Sequence, residues 1–213
     1  MSGGSQAKQS LEWAPHELPM YDETLETACA SEIQRLASTS SQERLSFIID
    51  PRDAHRRLYE RLTPVDHPEY AGTYRGTPGT TLEGRRIGAT REDGSFQEFI
   101  APDRVSHCLP KVAGQARKIF DLPAGTNSSV VLPEIVRLFY AFGLIHPFLD
   151  GNGHIQRLIF SACVMERGPL QLRTTWTIHP RPYDIEIKLA FEAPTAEARL
   201  AALYSVLAAY VSG

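Results

Sequence analysis

His146-Pro-Phe-Leu-Asp150-Gly-Asn-Gly-His154-Ile-Gln-Arg157 sits between two apolar runs of helical period. Ahead of it, Ile135, Leu138, Phe139 and Phe142 fall on one face of a helix predicted over 132–143. Behind it, Ile155, Leu158, Ile159, Ala162 and Cys163 mark another helix, which Gly168-Pro169 ends. A plain connection between two helices needs a turn. It does not need His, Asp, Asn, two Gly and Arg within one short loop.

Each polar residue of the loop suggests a task. Gly151 and Gly153 lack a Cβ, so the backbone can turn tightly and approach a ligand. They precede a helix, where unpaired N–H groups and the positive end of the dipole favour an anion such as phosphate. Asp150 beside such a cradle would repel phosphate unless a cation lay between. Mg²⁺ is commonly held by one or two carboxylates, phosphate oxygens and water. Asn152 can offer its amide N–H to an oxygen whose charge grows in a transition state. Arg157, one turn on, can pair with phosphate oxygens. His146 has an ordinary pKa suited to taking a proton from an attacking hydroxyl near pH 7.

Outward from the loop, the chain reads as mainly α with one β-hairpin. Leu25, Cys29, Ile33 and Leu36 form a helical stripe, Ser38–Ser41 a loop, and Pro51-Arg52-Asp53 the opening of a second helix. Within 86–100, Arg91-Glu92-Asp93-Gly94 separates two arms, and Asp-Gly there is a hairpin signal. Val105, Leu109, Val112, Ala116 and Ile119 continue the helical pattern, with Pro110 kinking it or marking its start. Two more helices are expected at 184–191 and 195–211. Residues 1–20 read as a disordered or loosely packed N-terminus and 21–213 as one domain.

The bulk properties fit a single sizeable core: 213 residues, 42% hydrophobic and 22% charged. A formal net charge of -3 provides no field to draw nucleic acid or an anionic membrane. Arg52, His55, Arg56, Arg57 and Arg61 wrap more than one helical face and read as solvated surface. Cys29, Cys108 and Cys163 make no disulfide framework and suggest free thiols in a reducing compartment. The polar N-terminus lacks a signal-peptide pattern, and no stretch reads as a bilayer span. A cytoplasmic protein is the expectation, with export as an effector left open. The histidines show no zinc-ligand spacing, and Gly79–Arg86 lacks the Lys-Ser/Thr ending of a P-loop.

The loop resembles the Fic (filamentation induced by cAMP) motif H-P-F-x-[D/E]-G-N-G-R-x-x-R. Eleven positions fit and His154 stands where the family has Arg. Ala71-Gly72-Thr73-Tyr74-Arg75 resembles the family's segment before its flap, and 86–100 falls where the flap hairpin belongs. The similarity spans roughly 68–191. It implies a Fic-type helical bundle and an adenylyltransferase moving AMP from ATP onto a Ser, Thr or Tyr hydroxyl of a protein. By that likeness His146 is the general base, Asp150 binds Mg²⁺, and Gly151, Asn152 and Gly153 form the anion hole. Asn152 is thereby catalytic as well as nucleotide-binding, with His154 and Arg157 further contacts to the nucleotide. A target protein would add a strand along the flap.

Three alternatives accompany the resemblance. A neutral His154 would leave a triphosphate less well compensated than an Arg would. That is compatible with a slower adenylyltransferase, with another phosphate donor, or with a Fic-fold binding module. A kinase resembling the Doc branch is disfavoured, because that branch typically carries Lys at the position of Gly153. The family's inhibitory pattern [S/T]-x-x-x-E-[G/N] finds only Thr39–Arg44 here, with Glu43 as its acidic residue, so a separate inhibitory protein is the other expectation.

Overall fold

The computed structural model describes residues 13–213. The expectation for 1–12 lies outside the described residues. Among the described residues the elements are α1 (Tyr21–Ser38), α2 (Ser41–Ile49), α3 (Arg52–Tyr59), β1 (Gly88–Thr90), β2 (Phe96–Glu98), α4 (Pro102–Phe120), α5 (Ser128–Ile145), α6 (Asn152–Glu166), β3 (Gln171–Leu172), α7 (Asp184–Glu192), α8 (Ala196–Ala208) and β4 (Val211–Ser212). The fold is mainly α, as the sequence indicates.

Two helices organise the core. α5 packs on α4, α6 and α8, while α6 also meets α1 and α2. Every residue of α6 from His154 to Val164 is buried. A helix covered on all sides belongs at the centre of a domain. Its polar members survive there because each has a partner. Gln156 Nε2 donates to Phe139 O at 2.7 Å, and Ser161 Oγ donates to Arg157 O while accepting from Trp176 Nε1 at 2.9 Å.

The Asp-Gly signal is realised as expected. β1 and β2 pair antiparallel with Ala89 opposite Gln97. Gly94 takes the left-handed conformation, φ 80°, and Arg91 N–H donates to Ser95 O at 2.8 Å. This hairpin stands over the junction of α5 and α6.

Four details differ from the sequence reading. α2 follows α1 after a two-residue break: Ser40 and Glu43 form a capping box, each side chain accepting from the other's backbone N–H. The Ser-rich run hid that helix start. The segment from Trp13 is packed rather than loose, with Trp13 against Tyr59 and its Nε1 donating to Leu62 O at 3.0 Å. A second small sheet pairs β3 with β4. Such short strands leave no alternation to read. Finally, α5 is long and apolar enough by length and composition to cross a membrane. Here Val131, Leu132, Ile135, Val136, Leu138, Phe139 and Phe142 instead contribute to the protein core.

Candidate active site

α5 ends at His146, whose φ of 49° makes it the only non-glycine among the described residues with positive φ. That left-handed cap reverses the chain and typically costs about 1–2 kcal/mol, so the surroundings must hold it. Arg75 does so from the backbone side, donating from Nε and Nη2 to His146 O at 3.0 and 2.8 Å. On the ring side, Phe99 of the hairpin stacks on the imidazole with centroids 3.7 Å apart. His146 Nδ1 lies 2.9 Å from Gly143 O. A carbonyl can only accept, so Nδ1 carries the proton and Nε2 keeps its lone pair. Burial pushes this imidazole down to about 4, which keeps it neutral at physiological pH.

The next residues form a tight knot. Asn152 clasps Phe148 with both ends of its amide: Oδ1 accepts from Phe148 N and Nδ2 donates to Phe148 O, each at 2.8 Å. The expectation that this amide serves a growing oxyanion is therefore corrected. The side chain is committed to loop shape, and the backbone N–H at the start of α6 is what Asn152 can present to a ligand. Phe148 is fully buried, stacked on His55 at 3.9 Å.

His55 ties this knot to α3. Gly72 N–H donates to its Nδ1 at 2.9 Å, so its proton lies on Nε2, which donates to Asp150 O at 2.9 Å. Gly151 follows with φ 74°, and a Cβ there would run into the Tyr59 ring and His55 Nε2. Here the absence of a side chain is a packing requirement.

Asp150 faces the cavity, its carboxylate accepting from Gly151 N–H. Burial raises its pKa, and a carboxylate in that position gains from a cation. Among the described residues no group of three or more His, Cys, Asp or Glu could hold a metal. A lone buried carboxylate facing the cavity could serve Mg²⁺ only as one ligand among phosphate oxygens and water.

His154 is placed differently from its expected role as a nucleotide contact. Its side chain is fully buried and absent from the cavity wall. Tyr59 Oη meets its Nδ1 at 2.8 Å, its Nε2 meets His179 Nδ1 at 3.1 Å, and His179 Nε2 meets Asp22 Oδ1 at 3.1 Å. The carboxylate end sets the direction of this chain for neutral rings. His179 donates from Nε2, His154 donates from Nε2, and Tyr59 donates to His154 Nδ1. Burial holds the pKa of His154 well below the usual range, so it carries no charge toward a phosphate.

Arg157 has its guanidinium almost wholly buried at the cavity edge. Nη1 donates to Gly153 O at 2.8 Å, Nη2 pairs with Asp184, and the group lies 5.1 Å over the Tyr183 ring. Its Nε has no partner among the described residues. Tyr183 is thereby a core residue, stacked on Trp176. Glu43 is remote from this arginine. It caps α2, whose Arg44 pairs with Glu166 at the far end of α6. Glu166 is nine residues beyond Arg157, about 14 Å along a helix, so the proposed inhibitory contact is absent.

The loop, the hairpin and α7 enclose a cavity of about 540 Å³. His146, Asp150, Gly151, Asn152, Gly153 and Arg157 all line it, and His154 does not. Glu92 N–H at the hairpin tip donates to Glu192 of α7 at 3.2 Å, bridging the cavity mouth. Sequence reasoning missed His55, Tyr59, Arg181 and Asp184. None lies in a motif, and only their positions in space connect them with the loop.

The buried neutral histidines set an expected pH response. Burial pushes His55 down to about 4 and His154 well down, against about 6.5 in an unfolded chain. Both stay neutral in the fold while the unfolded chain takes up protons below about pH 6.5. Their contribution is fully present above that pH and is lost as pH falls below it, for His55 down to about 4. The slope is about 1.4 kcal/mol per pH unit for each, and the raised Asp150 opposes part of it. Thermal melting followed by circular dichroism should therefore show a lower Tm at pH 5.5 than at pH 7.5. An unchanged Tm would contradict neutral burial.

The Fic/DOC family model matches residues 50–164, more than half of the chain. Similar solved structures include the N-terminal Fic domain of a Bartonella effector protein from Bartonella sp. AR 15-3: 18% identity, TM-score 0.55, 89% of this chain and 82% of that one covered. The corresponding domain of a putative cell filamentation protein from Bartonella quintana gives 17%, 0.54, 89% and 83%. BepC from Bartonella tribocorum, solved with bound AMPPNP, gives 14%, 0.52, 86% and 86%. No curated protein matches the chain significantly. With helices, hairpin and motif loop arranged in this way, the chain belongs to the Fic/DOC family.

Proposed function

We propose that this protein is a Mg²⁺-dependent nucleotidyltransferase that moves AMP from ATP onto a Ser, Thr or Tyr hydroxyl of a target protein. The observation that carries the reading is the tautomer of His146. Its Nδ1–H is spent on Gly143 O, so Nε2 is a base at the cavity edge. The hydroxyl oxygen attacks the α-phosphorus, its proton passes to His146 Nε2, and the bond from that phosphorus to the departing pyrophosphate breaks. The first-turn N–H groups of α6 receive phosphate oxygens, and Arg157 supports the terminal phosphates. Positioning and electrostatics supply most of the acceleration in such transfers. Mg²⁺ held through Asp150 would neutralise phosphate charge.

The hairpin supports the target side of this reading. It has only two strands, so each keeps an outer edge that an extended peptide can join. The AMPPNP bound to BepC supports an adenine nucleotide as donor. A separate inhibitory protein is consistent with Glu43 lying away from Arg157.

A binding module is the second reading, favoured by the engagement of Arg157 with Asp184. Incubation with lysate, Mg²⁺ and each labelled nucleoside triphosphate, followed by mass analysis of modified proteins, separates the readings. Addition of a nucleoside monophosphate is the expected result. Addition of bare phosphate would indicate a kinase, and bound nucleotide without any transfer would indicate the module.

A further inference from the structure

We infer that Arg181 binds the diphosphate end of the nucleotide, supplying at this site the cation that His154 does not. The inference rests on the cavity being a nucleotide site, and it concerns a residue outside the motif. Arg181 lines the cavity beside the start of α6. A Cβ at Gly153 would stand 2.9 Å from Arg157 Nη1 and 3.1 Å from Arg181 Nη1. Two guanidinium groups thus converge over the same glycine, where the first turn of a 15-residue helix has N–H groups without helical acceptors.

Like charges need a reason to sit together. Asp184 provides one, pairing with Arg157 through Oδ1 and with Arg181 Nε through Oδ2, the latter at 3.0 Å. One carboxylate between two arginines leaves one positive charge uncompensated within the trio. Asp184 takes the Nε side of Arg181, while Nη1 turns toward Gly153. Arg157, with its side chain 2% exposed, is held beside Arg181 by its bonds to Gly153 O and Asp184 and by the Tyr183 ring beneath it. A polyphosphate suits the set, because planar guanidinium forks and helix N–H groups both favour phosphate oxygens.

The same geometry accounts for His154. That position points into the core toward Tyr59 and His179, whereas Arg181 enters from the segment before α7 and reaches the anion cradle from outside. Charge removed from the motif is restored by a residue 27 positions later.

The test uses the full chain and its R181Q, R181K and D184N variants, with folding checked by circular dichroism. Each is titrated calorimetrically with inorganic pyrophosphate, ATP and adenosine at one low ionic strength. R181Q should weaken pyrophosphate and ATP by at least about tenfold, as loss of a charge-assisted hydrogen bond does, with adenosine unchanged. R181K should recover part of the loss, since it keeps charge without the fork. D184N should bind pyrophosphate at least as well as the natural chain. Equal pyrophosphate affinity in R181Q and the natural chain overturns the inference, as does a natural chain that binds no pyrophosphate. A D184N loss matching that of R181Q also overturns it, because Arg181 would then act only by holding Asp184. If pyrophosphate binding depends on Arg181 but no target receives a nucleotide, the phosphate site stands and the transferase reading fails.

Discussion

His146→Ala is expected to abolish detectable transfer to the target while leaving ATP affinity within a few-fold of the natural chain. Loss of a general base typically lowers the rate by a factor on the order of 10²–10⁴. The phosphate cradle belongs to α6, beyond the substituted residue, and its loop is tied by Asn152 to Phe148 and by His55 to Asp150. Those bonds do not use the His146 ring. The left-handed backbone at His146 complicates an alanine, so His146→Asn, which tolerates that conformation better, is the companion variant. Both should lose kcat and keep nucleotide binding. Turnover retained by either variant would remove His146 from the chemistry and, with it, the proposed reaction.

The expected pH profile follows from the same environment. With its pKa pushed down to about 4, the imidazole is deprotonated at neutral pH and becomes protonated only in acid. Activity should stay level on the neutral side and fall as pH approaches the pKa. Bound phosphate would raise that pKa and move the fall toward neutrality.

What could be read from the sequence was whatever leaves a local trace. Asp93-Gly94 announces a turn because the turn needs positive φ, and the apolar periods on either side of the loop announce α5 and α6. The motif loop was legible because its glycines and polar groups are contiguous. Partners distant in sequence left no such mark. His55 and Asp150 are 95 residues apart, and His55 looked like one more member of a basic surface run. His154 was misplaced for a related reason. Its place in the motif, where the family has Arg, suggested a phosphate contact, and nothing local marks which way a first-turn side chain of α6 turns. In the fold His154 turns away from the cavity and finds its partners in Tyr59 and His179. Asn152 was misread because its acceptor and donor are the backbone of Phe148, and a backbone group carries no sequence signature.

Arg75→Met should cost about 3–5 kcal/mol of stability, enough to lower Tm by roughly 10 °C. The guanidinium is 1% exposed and has no carboxylate within ion-pair distance among the described residues. Burial pulls it down to about 10, still charged at neutral pH. Its compensation comes from carbonyls. Nη1 donates to Arg85 O at 3.1 Å, and Nη2 donates to Ile100 O at 3.0 Å and Ile145 O at 3.1 Å, in addition to the bonds to His146 O. Arg85 and Ile100 are the two stems of the hairpin, while Ile145 and His146 end α5. One side chain therefore fixes the base of the hairpin to the turn that carries the His146 imidazole. Methionine fills similar space but leaves those acceptors unpaired, which sets the size of the loss. Lysine keeps a charge but, as a single ammonium, cannot span acceptors arranged around a planar fork, so Arg75→Lys should recover only part of it. Steady-state kinetics should show kcat falling and KM for the protein target rising, because both His146 and the docking edge lose their anchor. ATP affinity should change less, since the phosphate cradle hangs on α6 and Asn152. A methionine variant with unchanged Tm and unchanged target KM would show that the hairpin and the α5 turn are held independently, and that the two halves of the site are not coupled through Arg75.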